Sequence, residues 1–206
     1  MYFGTHRVYQ TVDDASSWTA ISPDLTAGGT INTIAVAPSD SDTIYVASSD
    51  SRVSVSSNAG SGAGAIWTDI SAGLPHRFIT RIAVDPANPM TAYVTLGGFS
   101  GSLNPSAHVF KTTNGGQTWA DLSGNLPDIP VNQVVVDPDV RGTVYVATDI
   151  GVFYTRGGGE RWHPLVKGLP RVVVNDLVLH RASRTLRAAT HGRSMWDLRL
   201  PPKGGR

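Results

Sequence analysis

Few residues in this 206-residue chain could do chemistry. There is no cysteine, which excludes thiol catalysis, disulfides and Cys-ligated zinc. Glu160 is the only glutamate. Six histidines, at positions 6, 76, 108, 163, 180 and 191, lack the short spacings of a metal site. No nucleophile-elbow pattern supports Ser/His/Asp catalysis. No metal and no cofactor is therefore expected. What remains is a scatter of arginines, aromatics and single acids. Arg7, Arg52, Arg77 and Arg193 could offer guanidinium forks to an anionic or hydroxyl-rich ligand. Phe78 and Phe99 could serve as platforms, with His108, Asp149 and His191 beside them. The competing interpretation is ordinary solvated loop residues. The elements that position these residues decide where they can meet.

Those elements are repeats. Ile34-Ala35-Val36-Ala37-Pro38 returns as Ile82-Ala83-Val84-Asp85-Pro86 and as Val134-Val135-Val136-Asp137-Pro138, with a worn copy at Leu177-Val178-Leu179-His180-Arg181. Each is followed by a second apolar run, such as Ile44-Tyr45-Val46-Ala47 or Val144-Tyr145-Val146-Ala147. A third follows, such as Val109-Phe110-Lys111, and Trp67, Trp119 and Trp162 each open a fourth. A Leu-Pro pair then leads into the next unit. Runs of Val, Ile and Tyr suit a pleated, half-buried surface, and proline at a strand end turns the chain. Four short strands in about 45–50 residues predict an all-β fold, a β-propeller of four-stranded antiparallel blades.

Composition agrees. The chain has 22 Gly and 13 Pro but only four Glu and Lys together, too few to solvate surface helices. The expected organisation is one propeller domain over residues 1–200, in units of about 1–22, 23–72, 73–124, 125–167 and 168–200, with a flexible tail at 201–206. The first unit supplies strands two to four only, and the last strands one to three. About 18 strands result. This mismatch favours a piece of a larger propeller, or self-association through open blade edges.

A turn motif sits between third and fourth strands. Its clearest copy runs Thr112-Thr113-Asn114-Gly115-Gly116-Gln117-Thr118-Trp119. Thr11, Asp13 and Trp18 repeat it with Ala15 in place of glycine. Asn58 and Gly60 carry its front half before an insertion that ends at Trp67. Thr155, Gly159 and Trp162 mark a copy that has lost its acid. The Asp or Asn side chain caps turn amides, glycine supplies a positive φ, and Trp buries an apolar face. These positions are expected to be structural.

The motif resembles the Asp-box, the (Ser/Thr)-x-Asp-x-Gly-x-(Thr/Ser)-Trp repeat of bacterial-neuraminidase-type propellers. The closing Thr190-His191-Gly192-Arg193-Ser194-Met195-Trp196 looks like the last blade of bacterial Asp-box proteins. Related wheels include sialidases, xyloglucanases, sortilin-type receptors and photosystem II assembly propellers, so fold alone does not select a function. A sialidase would need an Arg trio, an acid/base Asp and a Tyr nucleophile assisted by Glu. Here the one Glu lies in a degenerate box turn, and Tyr9 and Tyr154 occupy repeat positions. A xyloglucanase-like enzyme needs two carboxylates about 5–9.5 Å apart. Only Asp50, Asp128 and Asp149 lie off the repeat on the relevant rim, and Asp85 and Asp137 form turns.

Connectivity places the Asp-boxes and strand one–two turns on one rim. Strand two–three loops and interblade loops fall on the other. Candidate ligand residues cluster on that loop rim, together with an insertion at residues 97–108 and with Arg171. The leading expectation is a non-catalytic glycan- or protein-binding or assembly module. The alternatives are a fragment of a secreted glycoside hydrolase with catalytic acids partly outside the chain, and a purely structural repeat of a larger surface protein. Net charge is +1, so nothing drives the chain toward nucleic acid, and no apolar run approaches a membrane span. No signal peptide is read, and the resemblance implies an extracellular or cell-surface setting.

Overall fold

A computed structural model describes residues 1–100, 107–165 and 169–201. Its regular structure is almost entirely strand. The first sheet holds β1 (Tyr2–Gly4), β2 (Val8–Gln10) and β3 (Thr19–Ala20). The second holds β4 (Ile31–Ala37), β5 (Asp40–Ser48), β6 (Val53–Ser56) and β7 (Thr68–Asp69). β8 (Ile79–Asp85), β9 (Asn88–Leu96), β10 (Val109–Thr112) and β11 (Ala120–Asp121) form the third. The fourth has β12 (Val131–Val136), β13 (Val144–Thr148), β14 (Gly151–Thr155) and β15 (Trp162–Pro164). The last has only β16 (Val174–His180), β17 (Thr185–Thr190) and β18 (Met195–Arg199). Each sheet is a meander in chain order, as the repeat predicts, and the truncated first and last blades appear as three-stranded sheets.

Burial follows from position in the meander. The second strand of a full blade has neighbours in its own sheet on both sides and is covered on both faces. Residues 43–48 of β5, residues 91–96 of β9 and all of β13 are accordingly buried without alternation. The equivalent strands of the end blades are not. In β1, Phe3 is exposed, and in β17 exposed Arg187 lies between buried Leu186 and Ala188.

The chain divides into two compact units, and the strands of the third sheet contribute to both. Unit one comprises residues 1–94 and 111–120, and its core includes Val8, Ile21, Ile31, Ile44 and Val46. Unit two comprises residues 95–110 and 121–206, and its core gathers Tyr145, Val152, Val174, Leu177, Leu186 and Leu200. Residues 101–106 of the expected insertion, residues 166–168 at the fourth unit boundary and residues 202–206 of the expected tail lie outside the described residues.

Candidate functional site

The turn motifs explain one rim. In the third blade, Thr112 Oγ1 donates to Asn114 Oδ1 at 2.9 Å and accepts from the buried Gly116 amide at 2.9 Å. Asn114 Oδ1 in turn accepts from Thr118 N at 3.0 Å. The first blade repeats this with Thr11, Asp13, Ala15 and Ser17. There the Ser17 hydroxyl, then that of Thr11, hold the Asp13 carboxyl down at about 2. In the second blade Ser56 and Asn58 keep the opening bonds, and Ile66 N takes the closing one after a short 3-10 helix (Ala59–Gly64). Gly60 falls inside that helix, and the positive φ belongs to Gly62, because the insertion replaces the box's own turn. In the fourth blade Gly157 stands where the acid would be, and the Thr155 hydroxyl is buried with no hydrogen-bond partner among the described residues.

Three of the four box tryptophans, Trp67, Trp119 and Trp162, also tie blade to blade, a role that residue type alone does not disclose. Within unit one, Trp67 Nε1 donates to Ile21 O at 2.8 Å, and Trp119 Nε1 to Ile70 O at 2.8 Å. Within unit two, Trp162 Nε1 donates to Leu122 O at 2.8 Å. The acceptor is in every case three residues beyond the preceding blade's Trp. The side chain at that position packs on the next box: a Cβ on Gly116 would overlap Ile70, and one on Gly159 would overlap Leu122. These glycines are required twice over, by φ of +88 and +107 and by the approach of a neighbour.

The same rim in unit two carries a buried ion pair. Arg184 reaches Asp137 with two bonds of 2.7 and 2.8 Å, and Tyr145 Oη donates to Asp137 at 3.5 Å. Burial works to raise the Asp137 pKa, but the Arg184 fork and the amides of Asp139 and Val140 outweigh it and hold it below the usual range. Asp137 thus keeps the turn role its sequence position implies, with an arginine added from the worn repeat.

The loop rim of unit one is tied by its acid. Asp50 accepts from the amides of Ala27 and Gly29 and from the Ser48 hydroxyl. Burial opposes its ionisation, yet these donors keep its pKa low. Ser51 Oγ donates to Arg77 O at 2.7 Å, which fixes the backbone beside exposed Phe78. Arg7 is exposed. Arg52, expected on the rim, instead runs along its sheet to Asp69 at 2.6 Å.

Unit two has its own loop rim. His108, expected to meet ligand, is fully buried. Its Nε2 pairs with Asp128 at 2.8 Å, and Asp128 also accepts from Ser100 N at 2.9 Å and Ser100 Oγ at 2.6 Å. Ser, His and Asp do converge, but the Asp lies between the other two. The hydroxyl donates to the carboxylate rather than to the imidazole, so it is not an activated nucleophile. The arrangement pins the base of the insertion to the next interblade loop. The Ser100 hydroxyl and amide, then His108, hold the Asp128 carboxyl at about 2. Phe99, adjacent, is 65% exposed. Asp149 accepts from Asn132 Nδ2 at 3.0 Å, and the same amide donates to Val174 O at 3.1 Å. His191 N donates to Val173 O at 2.8 Å. The Asp149 turn, the start of β16 and the His191 turn are therefore joined, and Arg171, His191 and Arg193 are exposed there. A groove beside them is lined by Ile150, Phe153, Pro164, Pro170 and Arg171.

Among the described residues no three His, Asp or Glu side chains converge on a cation-sized site. No helix among them is long and apolar enough to cross a membrane. The carboxyl pKa values of Asp13, Asp24, Asp50, Asp69, Asp128, Asp137 and Asp197 are displaced downward. A glycosidase general acid needs the opposite displacement. The displaced tyrosines, Tyr45, Tyr93 and Tyr145, are pushed by burial up to about 12, away from nucleophilic use at neutral pH.

No protein-family model and no curated protein matches the sequence. Solved structures do. An ancestral GH74 enzyme superposes with a TM-score of 0.68 at 22% identity, over 90% of this chain and 25% of its own. The GH74 xyloglucanase of Xanthomonas campestris gives 0.67 at 19%, over 96% of this chain and 34% of its own. The Cps50 (Swd1) β-propeller domain of Myceliophteria thermophila gives 0.70 at 9%, over 97% and 60%. The fold is that of a β-propeller with incomplete end blades. The chain spans only a quarter to a third of the length of the GH74 enzymes it resembles.

Proposed function

We propose that this chain is a non-catalytic propeller module that binds a glycan or a protein through its loop rim. The observation that carries this reading is the state of the loop-rim acids. Asp50, Asp128 and Asp149 each hold structural donors, and the first two are held below the usual carboxylate range. Asp50 and Asp128 are therefore poor candidates to protonate a leaving group at neutral pH. The exposed chemistry beside them is arginine, histidine and phenylalanine, suited to recognition rather than turnover. Glycan-array and pull-down measurements with Arg193→Ala and Arg77→Ala test it. Loss of binding in either variant supports the rim, and binding unaffected by both removes it.

A second reading is a piece of a longer glycoside hydrolase, favoured by the GH74 likeness and by the fraction of those chains that is matched. Sugar release from xyloglucan that disappears with Asp149→Asn would establish this reading and displace the first.

A further inference from the structure

The third box contains a reactive pair. Asn114 is the only asparagine in the chain that precedes a glycine. In such a pair the following amide nitrogen can attack the side-chain carboxamide carbon. A C–N bond forms, the bond to the side-chain nitrogen breaks, and ammonia leaves. Water then opens the resulting succinimide at one of its two carbonyls, giving aspartate or isoaspartate. A glycine in the attacking position has no Cβ to obstruct this closure and reaches backbone angles that other residues avoid. The fold itself imposes that glycine. Gly115 sits at φ +69, and a Cβ there would lie 2.7 Å from Met90 Cε.

The same fold restrains both reactants, all within unit one. Gly115 N donates to Met90 O at 2.9 Å. The carboxamide is turned toward position 118: Asn114 Oδ1 accepts from Thr118 N at 3.0 Å, and Nδ2 donates to Thr118 Oγ1 at 2.9 Å. Thr112 Oγ1 donates to the same Oδ1. Ring closure must release the Gly115 amide from Met90 and swing the carboxamide away from Thr118. It therefore proceeds through an opened box, not the closed one.

The aspartyl product has a template in the first blade. Asp13 stands at the matching position and accepts from Thr11 Oγ1 at 2.7 Å, Ser17 N at 3.0 Å and Ser17 Oγ at 2.6 Å. Thr118 matches Ser17. An aspartate at position 114 keeps the bonds from Thr112 Oγ1 and Thr118 N, and the Thr118 hydroxyl rotates from accepting to donating. Charge-assisted bonds then replace neutral ones. Isoaspartate instead routes the main chain through the side-chain carbon. The longer backbone between Thr112 and Thr118 moves the amides of residues 116 and 118 off their acceptors. We propose that Asn114 is a site of spontaneous deamidation gated by opening of the third box. The aspartyl form closes the box again on the first blade's pattern, and the isoaspartyl form leaves it open. This reactivity is independent of the loop-rim ligand.

The test incubates the full folded chain beside a synthetic peptide of its residues 110–119 in the same buffer. Peptide mapping that separates the Asn, Asp and isoaspartyl forms follows position 114. Conversion in the folded chain should be measurable but at least about tenfold slower than in the peptide, and should approach the peptide's rate when the chain is unfolded in urea. Thr118→Val, which removes the partner of Asn114 Nδ2, should speed conversion in the folded chain. Asn114→Asp should melt at or above the wild type, and the separated isoaspartyl chain should melt below it. A folded chain that converts as fast as the peptide, or not at all, would overturn the proposal. So would faster conversion at another asparagine, or an Asn114→Asp protein that melts below the wild type. If Thr118→Val fails to fold by circular dichroism, the comparison of folded chain, unfolded chain and peptide decides.

Discussion

Thr112 and Thr155 occupy the same repeat position, and replacement by valine should move stability in opposite directions. Both are buried. Thr112 Oγ1 organises its box, donating to Asn114 and accepting from the amides of Asn114 and Gly116. Valine has the same shape, so no cavity forms, but the buried Gly116 amide loses its acceptor. A buried donor left unpaired costs about 1–3 kcal/mol, and about 2 is expected here. The Thr155 hydroxyl already has no partner among the described residues, because Gly157 replaces the acid. Removing a buried unpaired hydroxyl recovers desolvation of about 1 kcal/mol. In a chain of this size about 1 kcal/mol corresponds to roughly 2–4 °C. Thermal melts should therefore show Thr112→Val lower by about 6 °C and Thr155→Val higher by about 3 °C. Urea midpoints should follow the same order at unchanged slope. A Thr155→Val protein that loses as much as Thr112→Val would refute the hydrogen-bond accounting of the boxes.

Ala15 sits at φ +70 where the third blade has Gly116. Ala15→Gly should stabilise by about 1 kcal/mol, and Gly116→Ala should cost more than 2, by denaturant unfolding. Trp119→Phe should cost about 1–2 kcal/mol through the stranded Ile70 carbonyl, whereas Trp18→Phe, whose indole has no acceptor among the described residues, should fall within about 0.5 by the same measurement. Arg184→Ala leaves a buried carboxylate uncompensated and should cost about 3–5 kcal/mol. In the wild type the Asp137 pKa is depressed on folding, so its contribution is complete above the ordinary carboxylate range and is lost as pH falls through the lower folded value. A pH series of unfolding midpoints in the acid range should show that loss, and Arg184→Ala should flatten it. Carboxyl NMR of Asp128 should titrate near 2, and Ser100→Ala should move it upward.

The blades were legible because their signals are residue types at fixed intervals. Pro38, Pro86 and Pro138 end first strands, and Trp67, Trp119 and Trp162 open fourth ones, so even the missing end strands could be read. The indole acceptors were not legible. A backbone carbonyl belongs to every residue, and nothing about Ile21, Ile70 or Leu122 marks it as an acceptor. Their alignment appears only when neighbouring blades stack. The place of His108 in an insertion points to the rim, but its ring is satisfied by Asp128 and the Leu96 carbonyl, which lets it be buried. Arg52 pairs within its own sheet because Asp69 lies on the adjacent strand. Arg184 was hidden in the most degenerate copy, where no pattern flags a bidentate partner 47 residues away.

The indole bonds have a consequence for how such a chain can be cut and grafted. A sheet is the visible module, but each four-stranded sheet carries a fourth-strand tryptophan committed to a carbonyl beside the sheet before it. A transplanted segment that begins at a first strand and ends at a fourth brings its own donor and inherits a foreign acceptor. It also brings the Ile or Leu that must nest against the next box glycine. Seamless exchange therefore requires matched size at two junction residues, the one at Trp plus three and the glycine that faces it. In the second box of unit one that match is absent, because Gly60 faces Asp42 rather than Ile21.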